Sequence, residues 1–431
     1  MTPEDDRPRG GDPAHRLGRA LAEAVLRDVI AACDPARRVR DALAEPDVAA
    51  MLACPRRLAL AVGKAALAMA RGAGEVADGI AVVPAGGAGA LPRGWRVMEA
   101  PHPVPDERSV AAGVALRALV AGAGDGDRVL ALLSGGASAL AELPAAGPDA
   151  LAALVATVQQ VMAAGAAIDE INAVRGALSA IKAGRLALAS AAPVVTLAVS
   201  DVIGDPLAVI GSGPTVGPWL AAPGVPVDDG AAATWRRARQ VLGRLGLAAP
   251  AALDAEPPVR QVVRRDLARV IAPMASAAHA AVAALVARGI AAGLIEAPVA
   301  GGVAAVADQL AAPADAPRVA WGEPTVRIPA VHGTGGRAQQ LALELARRLR
   351  GTARGALVVG TDGIDGPPPP GRPSPAGAWV DGATWDAIAA AGIDPAAALA
   401  ACDAGAALAA VGALVVIGPS GINHADLILI G

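Results

Sequence analysis

Two lysines stand apart in a chain that otherwise uses arginine for its positive charge. Of the 37 lysine and arginine residues in the 431-residue sequence, only Lys64 and Lys182 are lysines. Lys64 follows the apolar run 58–62, and Lys182 lies in Ser-Ala-Ile-Lys-Ala-Gly-Arg. An ammonium is a compact, mobile point charge, whereas a guanidinium is a flat fork. We therefore expect both positions to require an ammonium, with two exposed lysines retained by chance as the alternative.

Turns rich in glycine and serine follow apolar runs in the first half of the chain. Small residues let the backbone approach a ligand, and the N–H groups at a helix start favour a phosphate. A turn that only packs a helix on a strand fits the pattern about as well. The residues of these two turns are Ser134, Gly135, Gly136 and Ser138, and then Gly211, Ser212, Gly213 and Thr215.

Two aspartates follow another buried run, 194–199, in Val-Ser-Asp-Val-Ile-Gly-Asp-Pro. Paired carboxylates at a strand end can hold Mg²⁺ or act as a base. Turns and helix caps formed by the two side chains are the alternative. Because the second glycine-rich turn comes directly afterwards, we favour a functional role for Asp201 and Asp205.

The second half of the chain repeats the association of glycine-rich turns with charged residues. Gly-Gly-Arg places Arg337 at an expected helix start, where a fork-shaped cation can bind a phosphate or a carboxylate. Asp362 and Asp365 flank a Gly-rich turn, and a purely conformational role suits them equally well. His102 and His332 are weaker acid–base candidates, since a lone loop histidine is usually structural.

Short apolar runs ending in Gly or Ser alternate with helical stretches rich in Ala, Leu and Arg. This alternation predicts βα units and a mostly parallel sheet. Ligands of open α/β sheets bind beyond the carboxyl ends of the strands, and nearly all the motifs above fall there. The expected strands are 58–62, 79–83, 129–133, 194–199, 289–295, 317–321, 325–329, 355–359 and 413–417. The expected helices are 14–32, 107–121, 148–166, 235–245, 275–288, 301–311 and 338–350.

Composition excludes several classes of protein. The net charge of −3 favours neither nucleic acid nor an anionic membrane as partner, and the polar N-terminus predicts a cytoplasmic protein. Three cysteines without CxxC spacing predict neither a disulfide framework nor a zinc site. Neither a P-loop nor a Gly-x-Gly-x-x-Gly turn occurs, and the absence of Gly-x-Ser-x-Gly argues against an α/β-hydrolase.

Ten short segments form an ordered series along the chain. They are 62–66, 102–106, 133–140, 168–175, 179–186, 200–205, 211–215, 322–326, 335–337 and 360–366. The series resembles the glycerate 2-kinases with a C-terminal MOFRL domain, often labelled hydroxypyruvate reductases in older usage. The resemblance runs from about residue 15 to the C-terminus.

The resemblance implies an α/β protein of two domains with the active site in the cleft between them. A Rossmann-like parallel sheet with helices on both faces is expected over 14–250, after a disordered tail over 1–13. A smaller α/β domain is expected over 255–431, with its MOFRL region at about 316–428. The Pro- and Ala-rich stretch 246–258 is the expected boundary.

The implied reaction is the ATP-dependent phosphorylation of D-glycerate to 2-phosphoglycerate with Mg²⁺. Glycerate and ATP are then the partners, and a homodimer is left open. The alternatives are an NAD(P)-dependent hydroxypyruvate reductase and a non-catalytic protein that binds a sugar acid or a nucleotide. The implied catalytic residues are Lys64, Asp201 and Arg337, with Asp201 and Asp205 as metal ligands. The two glycine-rich turns and Lys182 are expected to bind the cofactor. The expected substrate ligands are Asn172, Arg175, Glu323, Asp362 and Asn423.

The sequence departs from the family pattern in its last third. The family usually reads Gly-Gly-Arg-Asn-x-Glu and Gly-Pro-Thr-Gly-Thr-Asn. A Pro-rich insert also occupies 367–375. These changes bear on the details of the C-terminal pocket. The substituted positions are Ala338, Gln340, Ser420 and Ile422.

Overall fold

The structure, a computed structural model, describes residues 17–368, 371 and 373–431. The expected tail 1–13, the start of the expected helix 14–32 and part of the insert 367–375 lie outside the described residues. The described residues form two compact units. The first unit is 34–274, and the second is 275–431 together with helix α1 (Arg19–Ala32).

The first unit contains a six-stranded sheet in the order β3-β2-β1-β4-β5-β8, and all neighbouring strands in it are parallel. A short antiparallel pair, β6 and β7, lies apart from it. The strands are β1 (Arg57–Val62), β2 (Asp78–Pro84), β3 (Trp95–Ala100), β4 (Arg128–Leu133), β5 (Val194–Val199), β6 (Val227–Asp228), β7 (Gln261–Val262) and β8 (Leu267–Ala272). The strand order reverses between β1 and β4, which is the Rossmann-like arrangement.

Register brings the ends of the central strands level with one another. Val62 pairs with Leu133, and Leu133 pairs with Ala198. The residues that follow β1, β4 and β5 therefore meet at one edge of the sheet. This edge is where an open parallel sheet binds its ligands.

Helices cover both faces of this sheet because successive strand residues point to opposite sides. Leu58, Leu60 and Val62 pack in one hydrophobic cluster, whereas Ala59 and Ala61 pack in another. Helices α7, α8 and α10 contribute to a further cluster. The helices of the unit are α2 (Pro35–Leu43), α3 (Pro46–Met51), α4 (Ala66–Ala73), α5 (Glu107–Ala121), α6 (Ala137–Leu140), α7 (Leu151–Ala163), α8 (Ile168–Leu178), α9 (Arg185–Leu188) and α10 (Ala231–Arg244).

The second unit has a mixed sheet in the order β13-β12-β11-β14-β10-β9. Among its described strands only β9 and β10 pair in parallel. Helix α13 is buried along most of its length. The strands are β9 (Gly293–Leu294), β10 (Arg318–Gly322), β11 (Gly355–Gly360), β12 (Gly377–Asp381), β13 (Leu414–Val415) and β14 (Asp426–Ile430). The helices are α11 (Ser276–Val286), α12 (Val303–Ala311), α13 (Arg337–Leu349), α14 (Thr384–Ala390), α15 (Pro395–Ala400) and α16 (Ala404–Ala410).

The structure differs from the sequence-based expectations in several respects. Strands β3, β12 and β14 were not among the expected strands. The mostly parallel sheet is confined to the first unit, because β14 runs antiparallel to both of its neighbours, β10 and β11. The stretch 325–329 forms no strand, since only Thr325 makes a bridge. The two units also divide at places other than the expected domain limits. Strand β8 stays with the first unit because it pairs with β5, and α1 joins the second because it packs on α11.

None of the described helices combines the length and the apolar character that a membrane crossing requires.

Candidate active site

The candidate site lies at the carboxyl ends of β1 and β4, where the strand order reverses. The backbone N–H of Lys64 donates a hydrogen bond to the carbonyl of Gly135 at 2.8 Å. The next N–H, that of Ala65, donates to the buried Ser134 Oγ at 3.1 Å. The fold thus brings together two turns that are about 70 residues apart in the chain, at the place where such a sheet opens a ligand crevice.

Glycine permits the close approach of these turns to each other and to β5. A Cβ on Gly63, whose φ is +132°, would lie 2.1 Å from Ser134 Oγ. A Cβ on Gly135 would lie 1.8 Å from Oδ2 of Asp201, which follows β5. The Asp201 carboxylate therefore lies directly against the turn after β4, and any side chain at position 135 would displace it.

The side chain of Lys64 lies beside His102, which follows β3. A Cβ on Gly136 would lie 3.4 Å from Lys64 Cγ and 3.1 Å from His102 Cδ2. Burial, assisted by the charge of Lys64, lowers the pKa of His102 below its ordinary value of 6.5. The imidazole is therefore neutral at pH 7 and can accept a proton. Because His102 lies next to the predicted catalytic lysine, it is a stronger acid–base candidate than its sequence context indicated.

Ser138, Ser212 and Asn172 form a hydrogen-bonded chain. Ser212 Oγ donates to Asn172 Oδ1 at 2.8 Å, and the Oγ atoms of Ser138 and Ser212 are 2.7 Å apart. Ser212 adopts a left-handed conformation between Gly211 and Gly213, which do the same. Asn172 Nδ2 is buried and has no hydrogen-bond partner in the part of the chain that the structure describes. A buried amide donor of this kind is suited to an acceptor oxygen of a ligand.

Ser138 and Asn172 border a cavity of about 430 Å³, within the usual range for small-molecule sites. Helix α7 supplies an apolar wall, which includes Leu154, Val158 and Met162. The polar side chains of the lining are His102, Ser138, Glu142, Gln159, Asn172, Arg175 and Asp201. Five of these seven follow from the predicted motifs, and Glu142 and Gln159 do not.

Arg175 supplies a positive charge to the lining of this cavity. It is partly buried and makes no hydrogen bond or salt bridge among the described residues. Burial lowers the pKa of Arg175, and the nearby charge of Glu142 opposes that shift. The guanidinium therefore retains its full set of donors for an anion in the cavity.

Lys182 lies behind this lining rather than in it. Its side chain is 1% exposed, donates to the Ala141 carbonyl at 3.2 Å and forms a buried ion pair with Glu142. Burial lowers the pKa of the Lys182 ammonium, and Glu142 opposes the shift. Lys182, expected to bind the cofactor, is therefore connected to the cavity through Glu142, which lines it.

Several further predicted residues do not line the cavity: Lys64, Ser134, Gly135, Asp205, Ser212, Gly213 and Thr215. Thr215 is 1% exposed, and its hydroxyl is hydrogen-bonded to that of Thr196 at 2.7 Å in the core. Asp205 adopts a φ of +53° and accepts a hydrogen bond from the N–H of Met274 at 2.8 Å. Among the described residues no group of three or more His, Cys, Asp or Glu is arranged to hold a metal. Joint binding of Mg²⁺ by Asp201 and Asp205 stays a prediction.

The second unit has a polar cavity of its own, of about 340 Å³, lined in part by Arg337, Asp362, Asn423 and Asp426. Arg337 is the first residue of α13, as predicted. Its guanidinium donates to both carboxylate oxygens of Asp426, at 2.6 and 3.0 Å, and to Glu323 at 3.3 Å. Three predicted site residues of this unit, Arg337, Asp362 and Asn423, thus line one cavity, and the fourth, Glu323, contacts Arg337. The Arg337 guanidinium is already paired with two carboxylates, those of Asp426 and Glu323.

The turn before α13 is built around Asp365. Its carboxylate accepts hydrogen bonds from the N–H groups of Ala338 and Gln339, at 2.9 and 2.7 Å. A Cβ on Gly336 would lie 2.3 Å from Asp365 Oδ1, so the glycine is needed for this cap. Asp362 Oδ1 accepts from the N–H of Ile364 at 3.1 Å. Both aspartates therefore stabilise the conformation of this turn through hydrogen bonds to backbone N–H groups.

The four substituted positions do not line this cavity. Ala338 and Ile422 are buried, and Gln340 donates to the carbonyl of Leu399 at 2.8 Å. Ser420 donates to the carbonyl of Thr361. These four substitutions change the packing behind the cavity rather than its wall, whereas Pro367, at the start of the Pro-rich insert, lines the cavity.

Glu142 and Asp426 are the acidic site residues that the sequence did not point to, and Gln159 is a further polar one. Each of the two acids stands alone within an otherwise apolar run, Ala-Leu-Ala-Glu-Leu and Ala-Asp-Leu-Ile-Leu. An isolated acid in such a run is a signal of a buried, paired carboxylate.

Asp426 gives a prediction for stability against pH. Burial raises the pKa of Asp426 from 3.8 to about 7, although the hydrogen bonds and charge of Arg337 oppose the shift. A raised pKa means that the folded state holds the proton more tightly than the unfolded state. The resulting stabilisation is complete below pH 4 and is lost as the pH rises through about 7. Its full size is roughly 4 kcal/mol, from about 1.4 kcal/mol for each pKa unit.

The measurement is the free energy of unfolding in urea at pH 5 and pH 8. The free energy of unfolding of the unchanged protein should decrease between pH 5 and pH 8. In Asp426→Asn most of that decrease should be absent. Equal pH dependence in both proteins would contradict the raised pKa.

Fold and site together define a class of protein: a two-unit α/β protein with a Rossmann-like first unit and a polar cavity at the point where its strand order reverses. Comparison with known proteins agrees with this class. The family described as "Domain of unknown function (DUF4147)" matches residues 21–223, and the MOFRL family matches 318–426. The crystal structure of glycerate kinase from Thermotoga maritima has a TM-score of 0.83 at 31% identity, covering 95% of this chain and 98% of that one.

Curated relatives cover nearly the whole chain. The D-glycerate 2-kinase of Thermotoga maritima is 34% identical, over 95% of this chain and 97% of its own length. A protein of Agrobacterium vitis named "Putative hydroxypyruvate reductase" is 38% identical, over 87% of this chain and 100% of its own length. The chain therefore belongs to the glycerate kinase family with a MOFRL domain, and the resemblance drawn from its motifs is confirmed.

Proposed function

We propose that this protein transfers the γ-phosphoryl group of ATP to the 2-hydroxyl of D-glycerate, giving 2-phosphoglycerate. The observation that carries the proposal is the pair of unused donors in the cavity of the first unit. Arg175 and the Nδ2 atom of Asn172 both lack protein partners among the described residues. A small hydroxy acid offers the carboxylate and hydroxyl oxygens that such donors bind.

The two donors suit the substrate carboxylate. A guanidinium can donate two parallel hydrogen bonds to a carboxylate, and the Asn172 amide adds a third donor. The apolar wall from α7 limits the size of the substrate. A glycerate held there has its hydroxyls free to turn towards the polar edge near His102 and Gly136.

Lys64 and His102 suit the transfer itself. Phosphoryl transfer depends on positioning and on neutralising the charge of the transferred group, which is the role we assign to Lys64. The glycerate oxygen forms a bond to the γ-phosphorus while the bond to the β-phosphate oxygen breaks and ADP leaves. Neutral His102 accepts the proton of the attacking hydroxyl.

The residues also fit a magnesium ion that enters with ATP. Mg²⁺ is usually bound by one or two carboxylates together with phosphate oxygens and water, rather than by an all-protein cage. Asp201 supplies one carboxylate, next to the Gly135 turn. Bound there, the ion would neutralise phosphate charge. The turns at Ser134–Gly136 and Gly211–Gly213 would present their backbone to the nucleotide.

The predicted contributions of the second unit stay predictions. They are substrate contacts by Glu323, Asp362 and Asn423 and a catalytic contact by Arg337. Arg337→Ala tests the last of them. If Arg337 contacts the substrate, its loss lowers kcat/KM in addition to the loss of stability expected when the buried Asp426 loses its partner.

A hydroxypyruvate reductase is the second candidate, because some relatives carry that name. Dinucleotide-binding folds of this topology hold the pyrophosphate on a turn with three glycines after their first strand. Here that turn has one glycine, Gly63, and it closes against Ser134. This observation favours the kinase.

Two assays on the purified chain separate the candidates. ADP formation from ATP and D-glycerate, with ³¹P NMR of the product, supports the proposal if 2-phosphoglycerate accumulates. NADH or NADPH oxidation with hydroxypyruvate, without ADP formation, overturns it. Binding of glycerate or ATP without either turnover indicates the non-catalytic alternative.

Arg175→Gln tests the assigned carboxylate contact. We expect KM for glycerate to rise about 10- to 100-fold, because a charged hydrogen bond is worth roughly 1.5–3 kcal/mol. KM for ATP should change little. Arg96→Gln, at an exposed arginine without a side-chain partner among the described residues, is the matched control. Equal changes in both KM values would count against the assignment.

A further inference from the structure

A second cavity, of about 540 Å³, lies in the first unit and plays no part in the proposed reaction. The segment 179–185 separates it from the candidate active site. Ser179, Ala183 and Arg185 line the second cavity, whereas Lys182 of the same segment pairs with Glu142, which lines the first. A ligand in the second cavity would therefore occupy a site distinct from the proposed substrate site.

The charged lining of this cavity is mostly positive. Arg117, Arg185 and Arg260 line it, against a single carboxylate, that of Asp229. Arg185 is held by the carbonyl of Ser179 at 2.6 Å and by a second carbonyl, that of Gly176. Asp229 Oδ1 accepts a hydrogen bond from the N–H of the first residue of α10 at 2.9 Å.

The other two arginines are unused. The side chains of Arg117 and Arg260 are exposed and make no hydrogen bond or salt bridge within the described ranges. Both guanidinium groups border the same cavity, so an anion bound there meets two cations that have no other partner among the described residues. Phosphate and carboxylate groups match the fork of donors that each guanidinium presents.

The remaining wall is suited to a flat or apolar group. Trp235 lines the cavity, and its indole Nε1 is buried without a hydrogen-bond partner among the described residues. Pro257 and Pro258 are also part of the lining. A buried indole N–H usually finds a partner, so an acceptor atom supplied by a ligand would complete this wall.

We propose that this cavity is a second binding site, for an organic anion with a phosphate or carboxylate group joined to a flat apolar group. The anionic group binds Arg117 and Arg260, and the flat group lies beside Trp235. The volume is within the range of 300–1,000 Å³, roughly, that small-molecule sites occupy. The proposal does not depend on the kinase reaction, because it concerns binding alone.

Calorimetric titration of the whole chain with phenyl phosphate, benzoate and inorganic phosphate tests this proposal. We expect phenyl phosphate or benzoate to bind more tightly than inorganic phosphate, and the tighter of the two identifies the anionic group. The double substitution Arg117→Ala with Arg260→Ala should weaken that binding at least tenfold. Trp235→Phe, which keeps a ring but removes the N–H donor, should weaken it by a smaller factor.

Two controls separate this site from others. Arg96→Ala removes an exposed arginine elsewhere and should leave the titration unchanged. Arg175→Gln shows whether a probe binds in the candidate active site instead. Circular dichroism verifies that each variant is folded. The proposal is overturned if none of the probes binds, or if the Arg117 and Arg260 variant binds them as the unchanged protein does. Loss of binding in Arg175→Gln alone would place the probe in the first cavity and would also overturn it.

Discussion

Replacing Lys64 by methionine is expected to lower kcat for glycerate phosphorylation by roughly 10²–10³, the usual effect of removing one group that stabilises developing charge. Methionine keeps most of the length of the side chain and removes its charge. Lys64→Arg should also fail, because a planar fork cannot occupy the place of a compact ammonium. Lys64 is exposed, so the free energy of unfolding should change by less than about 0.5 kcal/mol. Steady-state kinetics and urea unfolding of the same variants measure both quantities.

A spectroscopic measurement accompanies the kinetics. The Lys64 charge helps to lower the pKa of His102, so that pKa should rise in Lys64→Met. With five histidines in the chain, NMR titration can follow the imidazole signals, and His102→Gln identifies the one that belongs to His102. In the unchanged protein, kcat/KM should fall only at a pH below 6.5, the ordinary pKa of histidine, because burial and Lys64 lower the pKa of His102. Near-normal kcat in both Lys64 variants would refute the assigned role.

The second large effect is expected for Gly135→Ala. The new Cβ would lie 1.8 Å from Asp201 Oδ2, so the carboxylate must move out of its place. Displacing a catalytic group by about 1 Å can lower the rate by roughly 10²-fold, and we expect a fall of that size in kcat/KM. Because the clash is with the end of a side chain, the loss of stability should stay near 1–2 kcal/mol, about the average for a point mutation.

Gly126→Ala is the matched control for this substitution. A Cβ at Gly126 would meet no atom within 4 Å, so activity and stability should both be retained. A crystal structure of Gly135→Ala should place the Asp201 carboxylate away from the turn. If the carboxylate moves while kcat/KM stays normal, Asp201 is not needed for the reaction.

Local patterns predicted the central elements of the first unit well. Strands β1, β4 and β5 are almost entirely apolar and buried, as parallel strands covered on both faces should be. Helix α5 begins and ends where expected, because the Asp106 side chain caps its first turn. Strand β3 was missed, since it lies at the edge of the sheet and is mostly only partly buried.

The second unit was harder to predict because its sheet depends on contacts between distant parts of the chain. Strand β14, at the C-terminus, lies between β10 and β11, which precede it by about 100 and 70 residues. No local pattern specifies such an insertion. The same strand carries Asp426, so the partner of Arg337 could not be recognised before the strand order was known.

The sequence by itself determined the family, the set of motifs and the edge of the sheet at which they lie. The types of residue that could neutralise phosphate charge were also evident from it. The tertiary structure decided which of these residues face the cavity. Asp201 does, whereas Asp205 closes a turn, Thr215 enters the core and Lys182 pairs with Glu142. Register and side-chain direction alone bring together groups that are tens of residues apart, and both are set by packing across the whole sheet.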